Sequence, residues 1–218
     1  PAIAAMELAQ LITQATWDAA PTPSARAPAS YATAWCALRQ LPHLTDEAIL
    51  KCAERGVESV FDLAEIEDSV RKEALGGLTA RQLRDVAAVC NSFPNLDVSF
   101  SLGSSGNEGR GKPSVTVSPG STVVVSVTLS KASEDDEDEE EGGKQRATAP
   151  RKPVHAPYFP KEKYDEWWVV VGSHEKNQLL SIKRVPSPSP TSKLKLEFAS
   201  PTEPGRYTFK LTVVCDSF

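Results

Sequence analysis

The sequence is poor in the groups that usually announce chemistry. It has 218 residues, with one methionine, three histidines and four cysteines, and aromatic residues make up 7%. The cysteines are Cys36, Cys52, Cys90 and Cys215. They form no C-x-x-C pair, and none stands in zinc-site spacing with His43, His155 or His174. Free cysteine behaves as a small hydrophobe, so the four read as reduced thiols of a nucleocytoplasmic protein. The full G-x-x-x-x-G-K-[ST] phosphate-loop hallmark is absent, as is any acidic helicase box followed by His. No stretch approaches the ~18 apolar residues of a spanning helix, and no basic start with an apolar centre marks a signal peptide. The expectation from these absences is a chain with no catalytic residues, no cofactor, no metal, no membrane contact and no small-molecule substrate.

What the sequence does have is unevenly placed charge. There are 24 Lys+Arg and 29 Asp+Glu, for a formal net charge of −5, but eight of the acids form one unbroken run, Glu134–Glu141. Outside it, basic residues are in excess. The run repels itself and cannot bury apolar area, so an acidic insert over 131–152 is expected to be disordered. A solvating loop is the simpler reading of it, and a basic-protein ligand or nucleic-acid mimic is the sharper one.

Hydrophobic periodicity divides the chain in three. Met6, Leu8, Leu11, Ile12 and Ala15 fall at helical spacing and predict a helix over 1–17 with one apolar stripe that needs a partner. Residues 18–30 are Pro/Ala/Ser-rich and read as a linker, followed by a short helical turn, Tyr31 to Leu38, that carries Trp35. The first part is therefore 1–40. Residues 41–94 predict four short helices. Thr45 caps the first, whose Ile49, Cys52 and Ala53 share a face, and Gly56 ends it. Val57, Val60, Phe61 and Leu63 mark the second, and Ile66, Val70 and Ala74 the third. Thr79 and Gln82 form a capping box for the fourth, with Leu78 stapled onto Leu83. Over 95–218 the period falls to two. Leu96/Val98/Phe100, Val115/Val117, Val123–Leu129, Trp167–Val171, Leu180/Ile182, Leu194–Phe198 and Tyr207–Val213 read as seven strands of an immunoglobulin-like sandwich. The Trp167–Val171 strand is apolar on both faces and is expected to lie centrally. The fold class is thus α+β, a helix-loop-helix unit followed by a β-sandwich.

The strings PAIAAMELAQLITQATW, RQLPHLTDEAILKCAERGVESVFDL, CNSFPNL, EWWVVVG…NQLLSIKRV and GRYTFKLTVVCDSF occur in this order and cover nearly the whole chain. Together they resemble the Sec-sixty-three homology module of Brr-two-type spliceosomal RNA helicases. The departures are the linker 18–34 and the acidic insert 131–149. The resemblance implies a helical bundle, of which 1–17 is the last helix, then a helix-loop-helix domain and an immunoglobulin-like sandwich. It also implies that the family continues past CDSF into a final strand, so this sandwich is expected to lack its closing strand. ATP chemistry in such helicases lies in separate RecA-like domains. This module is then a non-catalytic scaffold that braces the helicase core and docks splicing proteins in the nucleus. Its partners are the remainder of the helicase chain and splicing proteins. The homologous modules of an endoplasmic-reticulum translocation factor and of a cointegrator-complex helicase are the related alternatives.

Candidate contact residues follow. The sandwich face with Trp168, Leu179, Ile182, Lys183 and Arg184 is the expected docking region. Arg81 and Arg84, three apart on the fourth helix and off its apolar stripe, are candidate RNA phosphate contacts, with Lys183, Arg184, Lys193 and Lys195 adding positive charge to the sandwich. Against these stand plainer readings: a solvated helix face for the arginines, and core packing for Trp167 and Trp168, which cannot both face one side of a strand. The glycine cluster Gly103–Gly111 leads into a strand, which favours a hairpin loop over a phosphate cradle. His43, in Leu-Pro-His-Leu, reads as an entry turn.

Overall fold

A computed structural model describes residues 1–16, 27–104, 107–108, 114–131, 151–188 and 190–218. The acidic run, Trp17 and the tip of the glycine-rich stretch lie outside the described residues. Two compact units are formed, each assembled from separate pieces of chain. A helical unit gathers Leu8–Phe93, Lys152–Tyr164 and Ser217–Phe218, and a sandwich unit gathers Pro1–Glu7, Pro94–Arg151 and Asp165–Asp216. The sequence had assigned 152–164 and the last two residues to the sandwich.

The helices are α1 (Ala2–Gln14), α2 (Tyr31–Leu38), α3 (Asp46–Glu54), α4 (Val60–Glu65), α5 (Asp68–Ala74) and α6 (Ala80–Cys90). Their ends follow local chemistry. The Thr45 hydroxyl accepts from the Ala48 N–H, and both Ser59–Asp62 and Thr79–Gln82 form reciprocal capping boxes. Gly56 adopts φ +77°. There its N–H bonds to the Ala53 carbonyl while the Val57 N–H reaches Cys52, the Schellman pattern that only a residue tolerant of left-handed φ closes without strain. Leu78 and Leu83 both pack against the helical core, as the staple requires.

That core begins earlier than the boundary at residue 41. Tyr31, Ala34, Trp35 and Leu38 of α2 join Leu41, Ile49, Cys52, Val57, Leu63 and Val86 in one buried cluster. Trp35 is fully buried, its indole N–H donates to Asp46 Oδ1 at 2.9 Å, and the Arg39 guanidinium lies 4.4 Å from its ring centroid. The helical turn expected over Tyr31 to Leu38 is a complete helix, and its one tryptophan supplies the largest fully buried side chain of this unit. Phe61, expected on the apolar face of α4, is instead exposed.

In α1 the helix is as expected but its buried face is not. Leu8 and Ile12 are about half exposed, while Met6, Thr13 and Gln14 are buried. The Thr13 hydroxyl donates to the Ala9 carbonyl, and Gln14 Nε2 donates to the Ser217 carbonyl at 2.7 Å. Satisfied polar side chains thus share the inner side with Met6, and Leu8 and Ile12 of the aliphatic stripe are left outside.

The sandwich consists of β1 (Leu96–Ser104), β2 (Asn107–Glu108), β3 (Thr122–Lys131), β4 (Glu166–Ser173), β5 (Gln178–Pro186), β6 (Thr191–Ala199) and β7 (Lys210–Cys215). One antiparallel sheet runs β2-β1-β3-β6 and the other β5-β4-β7. Alternation decides the inner faces: Val123, Val125, Val127 and Leu129 of β3, Leu194, Leu196 and Phe198 of β6, and Val169 and Val171 of β4 form the core. Each such buried side chain contributes roughly 1.5–3 kcal/mol. β4 is central in its sheet and its Val169, Val170 and Val171 are all buried, as a strand apolar on both faces demands.

Three strand expectations are corrected. Residues 114–118 form no strand, although Val117 still packs on the core. β7 starts at Lys210, so Tyr207 and Phe209 precede it; their rings stack 6.4 Å apart, with Phe209 edge-on to Phe198 at 5.1 Å. Leu180 and Ile182 do not share a face. A bulge, with Val171 opposite Ser181 and Gly172 opposite Leu179, leaves Leu180 as the extra residue, packed on the core, while Ile182 pairs with outward Val170.

Among the described residues β7 pairs only with β4. Val98 and Phe100 lie opposite Leu129 and Val127 and so share the inner face, yet both are nearly half exposed. A cleft of about 770 Å³, lined by Phe100, Leu102, Val123, Tyr207, Phe209 and Leu211 among others, opens there.

Replacing Trp35 by Ala is expected to lower stability by about 3–5 kcal/mol, the usual cost of truncating a buried Trp. Urea unfolding of the variant checks this, and a loss below about 1 kcal/mol would show that α2 is not part of the core.

Candidate functional site

The outer face of the β5-β4-β7 sheet brings together most of the residues that the sequence singled out. Alternation along β4 sends Val169 and Val171 inward, so Trp168 and Val170 point out. Arg184 is opposite Trp168, Ile182 is opposite Val170, and Leu179 is opposite Gly172. These residues share one face. Lys183 does not: it pairs with Val169 and lies on the inner side of the edge strand β5. A charge in that position blocks further strand pairing.

Arg184 organises the face. Its Nε donates to Glu166 Oε2 and its Nη2 to Asp216 Oδ2, both at 2.6 Å, and its guanidinium lies 5.0 Å from the Trp168 ring centroid. Asp216 is 4% exposed, and its other oxygen accepts from the Glu166 N–H at 3.1 Å. The Asp216 N–H in turn donates to the Glu166 carbonyl at 2.9 Å. Strands β5 and β4 and the end of β7 are tied through one guanidinium, whose planar fork suits two carboxylates at once. Its charge is therefore spent within the fold. What the face offers outward is apolar: Leu179 and Ile182 are 45% and 39% exposed.

Trp167 and Trp168 point to opposite sides of β4, so they make no two-ring stacking platform. The Trp167 indole N–H donates to Asp165 Oδ2 at 3.1 Å. Arg81 and Arg84 are exposed on α6, and among the described residues neither has a recorded partner. Their neighbour Asp85 is engaged by His43 Nε2 at 3.0 Å. His43 itself holds φ +63°, so the entry turn is real and is fastened to α6. Lys193 and Lys195 project from exposed positions of β6.

No described group of three or more His, Cys, Asp or Glu is placed to hold a metal, and no described helix is long and apolar enough to cross a membrane. Burial pushes the Cys52 thiol up to about 11 and raises Cys90 as well, which keeps both as thiols at neutral pH. Cys36 is exposed. His155 is held below its ordinary value near 6.5, first by burial and then by the nearby charge of His43. Sequence reasoning missed Glu166 and Asp216 as partners of Arg184, since the pairs span 18 and 32 residues of sequence and only the strand register aligns them.

The family model for the Sec63 Brl domain matches residues 1–218. The chain is 38% identical over 218 residues to the human U5 small nuclear ribonucleoprotein 200 kDa helicase and 37% identical over 220 residues to DExH-box ATP-dependent RNA helicase DExH13 of Arabidopsis thaliana. It is also 31% identical over 218 residues to Activating signal cointegrator 1 complex subunit 3-like of Dictyostelium discoideum. Each match covers all of this chain and 8% of the relative, so the chain spans less than a tenth of their length.

Arg184→Met is expected to cost about 1–3 kcal/mol, because Asp216 is left buried and charged without its partner. A double-mutant cycle with Asp216→Asn checks it: additive losses would mean that the pair does not couple. His155 gives a pH signature. Its folded pKa is depressed, so protonation favours the unfolded chain, and stability falls as pH drops below about 6.5 towards the folded value. His155→Gln should flatten that part of the stability-against-pH curve; an unchanged slope would assign it elsewhere.

Proposed function

The chain belongs to the Sec63 Brl domain family, and from that premise we propose that it is a non-catalytic docking and bracing module of a spliceosomal DExH-type RNA helicase. The observation that carries this reading is the match of the entire chain to helicase relatives at 37–38% identity. The outer sheet face supports the docking part. Leu179 and Ile182 lie exposed beside Trp168 on strands that Arg184 holds rigid, and an apolar patch on a fixed backbone binds without a large ordering cost. The half-exposed Leu8 and Ile12 of α1, one turn apart, support the bracing part: they are a second apolar stripe available to a neighbouring helix. The partners are the remainder of the helicase and splicing proteins, and the location is nuclear. The phosphate-loop hallmark is missing from the sequence, so ATP turnover is assigned to other parts of the longer protein.

A specific observation favours RNA contact as a second reading. Arg81 and Arg84 are exposed, three apart on α6, and free of carboxylate partners among the described residues. Two such cations can each neutralise a phosphate.

For docking, Ile182→Asp in the full-length helicase is expected to reduce co-purifying splicing proteins at least fivefold with ATPase rate unchanged; full recovery of those proteins would refute the docking face. For RNA, the purified chain should lose affinity for a single strand by a salt slope of about −0.7 per phosphate contact, and Arg84→Glu should remove one contact. Binding indifferent to salt and to Arg84→Glu would eliminate the second reading. ATP hydrolysis by the purified chain is expected at background.

A further inference from the structure

The segment between the acidic insert and β4, residues 152–164, falls within the span 95–218 that the sequence reads as sandwich. It is an ordered loop of the helical unit. Two backbone hydrogen bonds close it. The Val154 N–H donates to the Lys163 carbonyl at 2.7 Å and pins the two ends together. The Phe159 N–H donates to the Ala156 carbonyl at 3.0 Å and makes a β-turn with Pro157 and Tyr158 at its centre. Pro153, Pro157 and Pro160 remove backbone freedom before any partner arrives. The loop has two sides. Val154, His155, Ala156 and Phe159 are partly buried and seat it, while Pro157, Tyr158 and Pro160 stand out. Tyr158 is 81% exposed, the most exposed of the large apolar side chains described. On the same segment Lys152 and Lys161 are exposed and, among the described residues, have no carboxylate partner.

We propose that the Pro157–Tyr158 turn is a protein-docking knob that inserts Tyr158 into an apolar pocket rimmed by carboxylates on a partner protein. This deepens the docking reading above and rests on it. Tyrosine gives large contact area for few rotatable bonds, and the closed, proline-braced loop presents it already ordered, which cuts the cost of binding. Lys152 and Lys161 set the sign of the rim. A single-stranded nucleic acid fits this surface less well. Such ligands are held by successive aromatic platforms along a basic groove, and here one ring stands between prolines.

The test places p-benzoyl-phenylalanine at position 158 of the full-length helicase, with the same probe at Ile182 and at Lys193 as separate controls, followed by irradiation of the purified assembly and sequencing of the adduct. The expected result is a dominant protein adduct at position 158 whose cross-linked peptide is rich in Asp and Glu, falling at least fivefold when Lys152→Glu and Lys161→Glu are combined. Tyr158→Phe should keep the association and Tyr158→Ala should lose it, with circular dichroism unchanged in both. A ribonuclease-sensitive adduct, yield no higher than at Lys193, or indifference to the lysine changes overturns the knob. An adduct at Ile182 with none at 158 overturns the knob alone, whereas none at either position overturns the docking reading with it.

Discussion

A carboxylate that is 4% exposed has to be neutralised where it stands, and much of the sandwich is arranged around that need at Asp216. Burying an ionised carboxylate without partners costs several kcal/mol. Asp216 meets the demand with Arg184 from β5 and the Glu166 backbone from β4. The same guanidinium reaches the Glu166 side chain and covers Trp168. Three strands of one sheet are thereby locked in register by a group that hydrophobic alternation alone would not have fixed, since alternation tolerates a two-residue slip. The position of Ile182 and Leu179, on which the docking reading depends, is inherited from that lock.

The helical unit solves its own problem by polar ties of the same kind. Trp35 is at the centre of its core and spends its one polar atom on Asp46, which fixes α2 to the start of α3. Arg71 donates to the carbonyls of Leu63, Ala64 and Ile66 and pairs with Asp68, so one side chain terminates α4 and steers the chain into α5. Short helices of six or seven residues cannot hold themselves in water. Capping boxes and this arginine supply what length does not. The result is a platform of small, stiff pieces, suited to presenting surfaces and not to moving them.

What was legible in the sequence was local. Thr79–Gln82, Thr45 and Gly56 act within one turn, and the odd-numbered valines of β3 act within one strand, so composition and spacing reveal them. What was hidden depends on distant partners. The stripe of Leu8 and Ile12 has the right period for burial, yet Gln14 gains more on the inner side because the Ser217 carbonyl waits there. Leu180 and Ile182 look like one face until the bulge beside Gly172 separates them; a Cβ on Gly172 would stand 2.9 Å from the Gln178 carbonyl oxygen, which ties the glycine to the close approach there. The helical turn of α2 was legible, but its place in the core was not, because its Ala- and Pro-rich surroundings read as a linker; the loop 152–164 was obscured by the charged run before it. In the candidate face, Trp168 was identifiable as a type, but the engagement of Arg184 by Asp216 followed only from register.

The hydrogen bond from Gln14 to Ser217, and the Phe93–Phe218 ring contact at 4.4 Å, join the two ends of the sequence within the helical unit. On a ribosome, residues at 217 and 218 emerge long after α1 to α6, and Gln14 lacks its Ser217 acceptor until they do. Helical nuclei form early from their own capped turns, but completion waits for a segment made only after all seven strands. Once α6 is made, the nascent helical unit therefore spends the time of roughly 125 residues of synthesis, on the order of 6–25 s at typical elongation rates, with Gln14 and Phe93 unsatisfied.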